Sequence, residues 1–114
     1  MLNQMVQQSQ RLDACFAALS DPTRRAILER LRQSEATMSV LAGPFDVSAP
    51  AVTKHVNVLE RAGLVVRQRS GREVHVRLVA KPMREASIWM ARYREFWTGG
   101  MDALEKMLDE GPDQ

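Results

Sequence analysis

A single cysteine, Cys15, stands in this chain of 114 residues. One thiol forms no intrachain disulfide and no multi-cysteine zinc site, which excludes a cross-linked scaffold and a zinc ribbon. Histidine is almost as scarce, with only His55 and His75. There is no Gly-rich phosphate loop and no nucleophile turn, so a hydrolase would have to pair Cys15 with one of those histidines. Cys15 instead shares an apolar helical stripe with Leu12, Phe16 and Leu19, where a cysteine acts as a small hydrophobe. The expectation is a protein that is not an enzyme, holds no cofactor and binds no structural or regulatory transition metal. No apolar run approaches the roughly 20 residues of a membrane span. The N-terminus lacks the charged-then-apolar order of a signal peptide, so a cytoplasmic protein with no membrane contact is expected. Internal repeats and low-complexity tracts are also missing, and the length suits one domain with its own core.

What is present is organised around residues 48–64, SAPAVTKHVNVLERAGL. Ser48 is a good N-cap, because its hydroxyl can accept from an orphan N–H of the first turn. Pro50 falls within that turn, where its missing N–H costs little. Val52, Val56 and Leu59 recur at helical spacing and form one apolar stripe. Gly63 ends the helix, as a residue tolerant of positive φ can. Ala49, Pro50, Thr53, Lys54 and Asn57 lie off the stripe and are small or hydrogen-bonding. Such a face suits a major groove, where Thr, Asn and Lys meet base edges and phosphates. His55, next to Lys54, is expected either at the edge of the helix or on a phosphate.

Residues 64–68 are rich in Val, and in 73–79 Val74, Val76 and Leu78 alternate with His75 and Arg77. Both stretches read as strands. Between them Arg69-Ser70-Gly71-Arg72 forms a basic hairpin tip with a glycine available for positive φ. A helix-turn-helix followed by such a hairpin is a winged helix. Charge segregates accordingly. Residues 48–81 carry seven Lys or Arg against two acids, a net +5, whereas residues 1–47 sum to zero and residues 82–114 to −3. The whole-chain figure of +2 hides this segregation. A basic block of this kind is the electrostatic footprint of a phosphate-binding surface.

Ahead of this core, residues 4–20 read as a first helix carrying Met5, Val6, Leu12, Cys15, Phe16 and Leu19. Its polar first half, including residues 7–10, has little to pack on within one small domain. Ser20-Asp21-Pro22 marks a helix start, and Ile27, Leu28 and Leu31 face inward along the second helix. Arg24 and Arg25, near its start, are candidates for DNA-backbone contact or a solvated face. Residues 34–36 read as a loop, Thr37 as the cap of a short third helix, and Gly43-Pro44 as its end. Residues 37–63 make the helix-turn-helix and residues 64–80 the wing.

A last helix is expected over residues 82–110, continuous across Gly99-Gly100 because the 3-4 apolar spacing keeps its phase. Trp89, Tyr93, Phe96, Trp97, Met101, Leu104 and Leu108 lie along it. Both tryptophans and the only tyrosine are among them. This surplus of large apolar groups, with Phe16 of the first helix, suggests an intersubunit surface.

DPTRRAILERL, PFDVSAPAVTKHVNVLERAGLV, RSGREVHVRLV and REFW together resemble the ArsR family of bacterial winged-helix repressors, over about residues 12–110. The likeness is closest to members that lack a metal site. It implies a mainly α fold with a small β-hairpin, a winged helix-turn-helix that dimerises through its first and last helices. It also implies a dimeric transcriptional repressor that binds a double-stranded DNA operator, an inverted repeat, and releases it on a signal. On that reading Ser48, Ala49, Pro50, Thr53, Lys54, His55, Asn57, Arg69 and Arg72 contact DNA. Metal-sensing relatives carry cysteines just before or on the recognition helix, where this chain has Met38-Ser39-Val40-Leu41-Ala42. Others use histidine on the last helix, and no His follows His75. The inducer is therefore expected not to be a metal. Two alternatives remain open: a redox-sensing repressor acting through Cys15, and a winged helix used for protein–protein contact.

Overall fold

The computed structural model describes residues 2–43 and 47–110, apart from the side chains of 97, 98, 101–103 and 110. Pro44, expected with Gly43 to end the third helix, and Phe45 and Asp46, expected with Val47 to hold turn chemistry ahead of Ser48, lie outside the described residues. The elements follow in the order α1 (Leu2–Leu19), α2 (Pro22–Gln33), β1 (Ala36–Thr37), α3 (Met38–Ala42), α4 (Ala49–Arg61), β2 (Val65–Ser70), β3 (Glu73–Leu78), α5 (Lys81–Met90) and α6 (Arg94–Glu110). This is the mainly α architecture with a small sheet that the sequence implies. Among the described residues no helix is long and apolar enough to cross a membrane.

Local chemistry sets the helix ends. Asp21 Oδ2 accepts from the Arg24 backbone N–H at 3.0 Å, Thr37 Oγ1 from Val40 at 3.2 Å and Ser48 Oγ from Ala51 at 3.2 Å. Each bond satisfies an orphan donor of a first helical turn. The C-terminus of α4 is a Schellman motif. Gly63 has φ +77°, its N–H donates to the Glu60 carbonyl and the Leu64 N–H to the Leu59 carbonyl, both at 2.9 Å. Leu64 is thereby turned into the core beside Leu59, and its carbonyl accepts from the Val79 N–H at 2.8 Å. That bond closes the base of the wing next to the end of α4.

The core collects one apolar stripe from each element. Ile27, Leu28 and Leu31 of α2, Leu41 of α3, Val52, Val56 and Leu59 of α4, Val65 and Val76 of the hairpin, Cys15 and Ala18 of α1 and Ala86 of α5 are all buried. Strands β2 and β3 pair antiparallel from Val65↔Leu78 to Ser70↔Glu73. The two-residue turn has positive φ only at Gly71, +63°, which matches a type II′ hairpin with glycine at its first central position.

The structure corrects two sequence expectations. Ala36 is not in a loop: with Thr37 it forms β1, which pairs antiparallel with β3 as Ala36↔Val76 and Thr37↔His75, making the sheet three-stranded. Two residues are too few to show strand periodicity, and the partner strand supplies the order. The last helix is not continuous over residues 82–110. A 3-10 turn, Ala91–Tyr93, separates α5 from α6. There the winding tightens to i→i+3 hydrogen bonding. Gly99 and Gly100, by contrast, are both helical within α6. The radius of gyration, 18.0 Å, exceeds the roughly 13 Å of a compact domain this long, because α6 extends beyond its own subunit's core.

Candidate nucleic-acid interface

The outer face of α4 is built by what occupies the inner one. Val52, Val56 and Leu59 are fully buried, which leaves Ala49, Pro50, Thr53, Lys54 and Asn57 on the opposite side. At about 100° per residue these five span an arc of roughly 140°. Ala49, Pro50 and Lys54 are exposed and Thr53 and Asn57 half-buried, beside the exposed cap Ser48. The Thr53 hydroxyl donates to the Ala49 carbonyl at 3.1 Å, so its oxygen keeps acceptor capacity. The face is slim at its N-terminal end, with Lys54 as its cation, and admits close approach to a polar groove.

His55 lies elsewhere. The same helical geometry puts it about 100° outside the nearer edge of that face. Its Nδ1 is 3.3 Å from an Arg24 guanidinium nitrogen and 3.8 Å from Asp21 Oδ2. Arginine only donates, so a neutral ring accepts at Nδ1 with its proton on Nε2, whereas an imidazolium donates from Nδ1 toward Asp21. His55 supports α4 from behind. The Asp21 carboxyl is held below the usual carboxylate range, first by the Arg24 backbone N–H and then by the nearby His55 and Arg24 side chains, against the opposing effect of burial.

Arg24 and Arg25 are likewise engaged. Arg24 Nε donates to the Ala18 carbonyl at 2.7 Å and Nη2 to Ala17 at 3.1 Å, while Arg25 Nη1 donates to Leu19 at 2.8 Å. Cations at the C-terminus of a helix satisfy its last carbonyls and complement its dipole. The pair closes α1, with Arg24 half-buried and Arg25 exposed.

In the wing, the Arg69 Nε donates to the Gly71 carbonyl at 3.3 Å, and Arg72 is exposed at the tip. Arg67 bridges inward to Glu60 at 2.6 Å and ties β2 to α4. That hydrogen bond holds the Glu60 carboxyl below its usual range and the guanidinium above its own. The basic block of the sequence therefore divides. Lys54, Arg69 and Arg72 belong to the outer face of α4 and the hairpin tip. Arg61 and Lys81 lie at the far end of α4, where with Arg11 and Glu85 they line a cleft of about 280 Å³.

Of the residues expected between subunits, Phe16, Trp89 and Tyr93 pack against one another within one chain, Phe16 edge-on to Trp89 and Tyr93 tilted to it. Ring centroids are 6.0 Å apart for Phe16–Trp89 and 5.3 Å for Trp89–Tyr93. Phe96 is 77% exposed and Leu108 72%, with Leu104 also exposed along α6. The side chains of Trp97 and Met101 lie outside the described residues. Leu2, Met5, Val6, Ile88, Met90 and Met107 of α1, α5 and α6 are exposed as well; of these the sequence signalled only Met5 and Val6. Cys15 is 1% exposed, and its thiol pKa is raised by burial and then by Glu85. A redox sensor needs the reverse, an accessible thiolate in an electropositive setting.

Fold and site together define a winged helix-turn-helix regulator. Residues 19–68 match the family model described as "Helix-turn-helix domain". The chain is 32% identical to the transcriptional repressor SdpR of Bacillus subtilis over 78 residues, 68% of this chain and 87% of that one. It is 34% identical to the HTH-type transcriptional regulator Rv2034 of Mycobacterium tuberculosis over 102 residues, 89% and 92% of the two chains. A solved structure of an ArsR family transcriptional regulator superimposes with a TM-score of 0.73 at 38% identity, covering 79% of this chain and 93% of that one. The chain belongs to the ArsR family of winged helix-turn-helix transcriptional regulators.

Proposed function

We propose that the protein is a cytoplasmic homodimeric repressor that reads an inverted-repeat operator with the outer face of α4 and brackets it with the wing tip. The observation that carries this reading is the asymmetry of α4. Its inner face is filled by the core and the Asp21–Arg24 corner, while its outer face, with Lys54, stays open. Thr53, Lys54 and Asn57 meet base edges and phosphates, the Ser48 end lies against the backbone, and Arg69 and Arg72 reach phosphate or the minor groove. Dimerisation follows from the exposed apolar groups of α1, α5 and α6, which one subunit leaves uncovered. Two copies of α4 would then enter successive major grooves roughly 34 Å apart.

On this reading the inducing signal is other than a transition metal, supported by residues 38–42, which offer no thiolate, imidazole or carboxylate, and by the lack of any His after His75. The test begins with a duplex selected by the wild-type protein from a random-sequence pool. Lys54→Ala should weaken binding to it and, if Lys54 meets phosphate, lower the salt slope by about one. Thr53→Ala should weaken binding and relax sequence preference. A Thr53→Ala/Lys54→Ala double variant that shifts the duplex at the wild-type protein concentration would overturn the assignment and leave protein–protein contact as the reading.

A further inference from the structure

One side chain joins three helices at the corner behind α4. Arg24 of α2 donates to the carbonyls of Ala18 and Ala17 at the end of α1, at 2.7 and 3.1 Å, and its remaining terminal nitrogen lies 3.3 Å from Nδ1 of His55 on α4. Its own backbone N–H is held by Asp21 Oδ2 at 3.0 Å, and the same oxygen is 3.8 Å from His55 Nδ1. His55 Nδ1 therefore has two neighbours of opposite kind. Neutral imidazole can only accept there, so it takes the guanidinium; imidazolium can only donate there, so it must take the carboxylate.

We propose that the Arg24–His55 contact is a proton-sensitive latch that holds the recognition helix against the α1–α2 corner, so that operator affinity falls as His55 gains a proton. The proposal rests on the reading that α4 enters DNA and adds how its position is regulated. With His55 neutral, the guanidinium fork spans from the end of α1 to the back of α4. Protonation removes the acceptor, sets like charges face to face and turns Nδ1–H toward Asp21 Oδ2. That oxygen also caps α2, so the switched imidazolium is tied to the start of α2 in place of the guanidinium.

Nearby charges leave this choice to Asp21 and Arg24. Among the elements packed on α4, α3 (Met38–Ala42) carries no titratable group, Arg67 of β2 is held by Glu60, and Arg11 of α1 is held by Glu85. Asp13 of α1 and Lys54 and Arg61 of α4 itself are exposed. The sign follows from the geometry. Neutral His55 keeps the Arg24 contact and imidazolium loses it, so affinity is full where the ring is neutral and falls where it is protonated, a difference that a series from about pH 8 to 5 brackets for a histidine. Because α1 also presents exposed apolar groups to a second subunit, the latch ties the seating of that helix to the aim of α4.

The experiment measures affinity for the selected duplex by fluorescence anisotropy at fixed ionic strength across this pH range, in wild type, His55→Gln, Arg24→Lys and Lys54→Ala. Glutamine retains a neutral acceptor that does not titrate. The wild type should lose about tenfold in affinity from the top to the bottom of the range, an amount set by one charge-assisted hydrogen bond. His55→Gln should bind near the wild-type high-pH level with that loss removed. His75 is retained in all four proteins, so whatever it contributes cancels in the comparison. Arg24→Lys, which lacks the fork, should bind weakly at every pH. Imidazole ¹⁵N spectra without DNA should show His55 as the Nε2–H tautomer at high pH in wild type but not in Arg24→Lys. An unchanged pH profile in His55→Gln, or an Nδ1–H tautomer, would overturn the latch. A Lys54→Ala protein that binds as wild type would instead overturn the reading of α4, whatever the tautomer shows.

Discussion

Replacing glycine by alanine should have opposite effects at the end of α4 and within α6. At Gly63 the backbone has φ +77°, and a Cβ there would meet only Pro82 Cγ at an ordinary 3.5 Å. The cost is therefore conformational and not steric. An L-residue in the left-handed region loses about 1–2 kcal/mol, part of which is offset by about 0.4–1 kcal/mol from restricting the unfolded chain. A net loss near 1 kcal/mol is expected, which at an unfolding entropy of about 2.1 cal/mol/K per residue lowers Tm by roughly 4 °C. Gly63→Asn should recover part of the loss, since asparagine tolerates this region better. Gly99 and Gly100 are helical, exposed and open, with nothing within 4 Å of an added Cβ. There alanine should stabilise the helix by about 0.8–1 kcal/mol per site. Urea and thermal unfolding at one fixed protein concentration, with sedimentation to monitor the dimer, would read all the variants together. A silent or stabilising Gly63→Ala would refute the Schellman argument. A Gly99→Ala/Gly100→Ala protein that fails to dimerise would show that a second backbone crosses at the glycines.

The Asp21 carboxyl is held low by the Arg24 N–H. It thus contributes stability that is present above the ordinary carboxylate range and lost as pH falls through its depressed value. Asp21→Asn, which keeps an acceptor oxygen, should flatten that part of an acid-unfolding profile recorded by circular dichroism. Arg72→Ala should weaken duplex binding without altering sedimentation; unchanged affinity at physiological salt would place the hairpin tip in solvent. Cys15 should resist iodoacetamide in the folded protein, and peroxide should leave duplex binding intact in both wild type and Cys15→Ser. Peroxide-dependent release abolished by Cys15→Ser would restore the redox reading.

The features legible in the sequence are those that a few neighbouring residues decide between themselves. The caps at Asp21 and Ser48, the stop at Gly63 and the hairpin turn at Gly71 each follow from one residue's hydrogen-bonding or φ preference, and each is found where its residue stands. The buried stripe of α4 was legible for the same reason, because 3.6-residue periodicity is local. That periodicity also set His55 apart from the outer face, although adjacency to Lys54 suggested otherwise.

Only the tertiary structure decided the contacts between residues on different elements. Ala36 and Thr37 become a strand because β3, some forty residues on, supplies their hydrogen bonds. The Arg24–Arg25 pair closes α1 because the end of that helix, seven and fewer residues back, turns its carbonyls toward it. His55 faces Arg24 because α2 packs across α4, and Arg67 leaves the basic surface because β2 passes Glu60. The 3-10 turn at Ala91–Tyr93 contains neither proline nor glycine, so no residue there announces it. Sequence pattern reports which groups a chain segment hides and which it shows. It is silent on which partner meets each group, because a hydrogen bond or an ion pair depends on distance in space, and packing alone sets that distance.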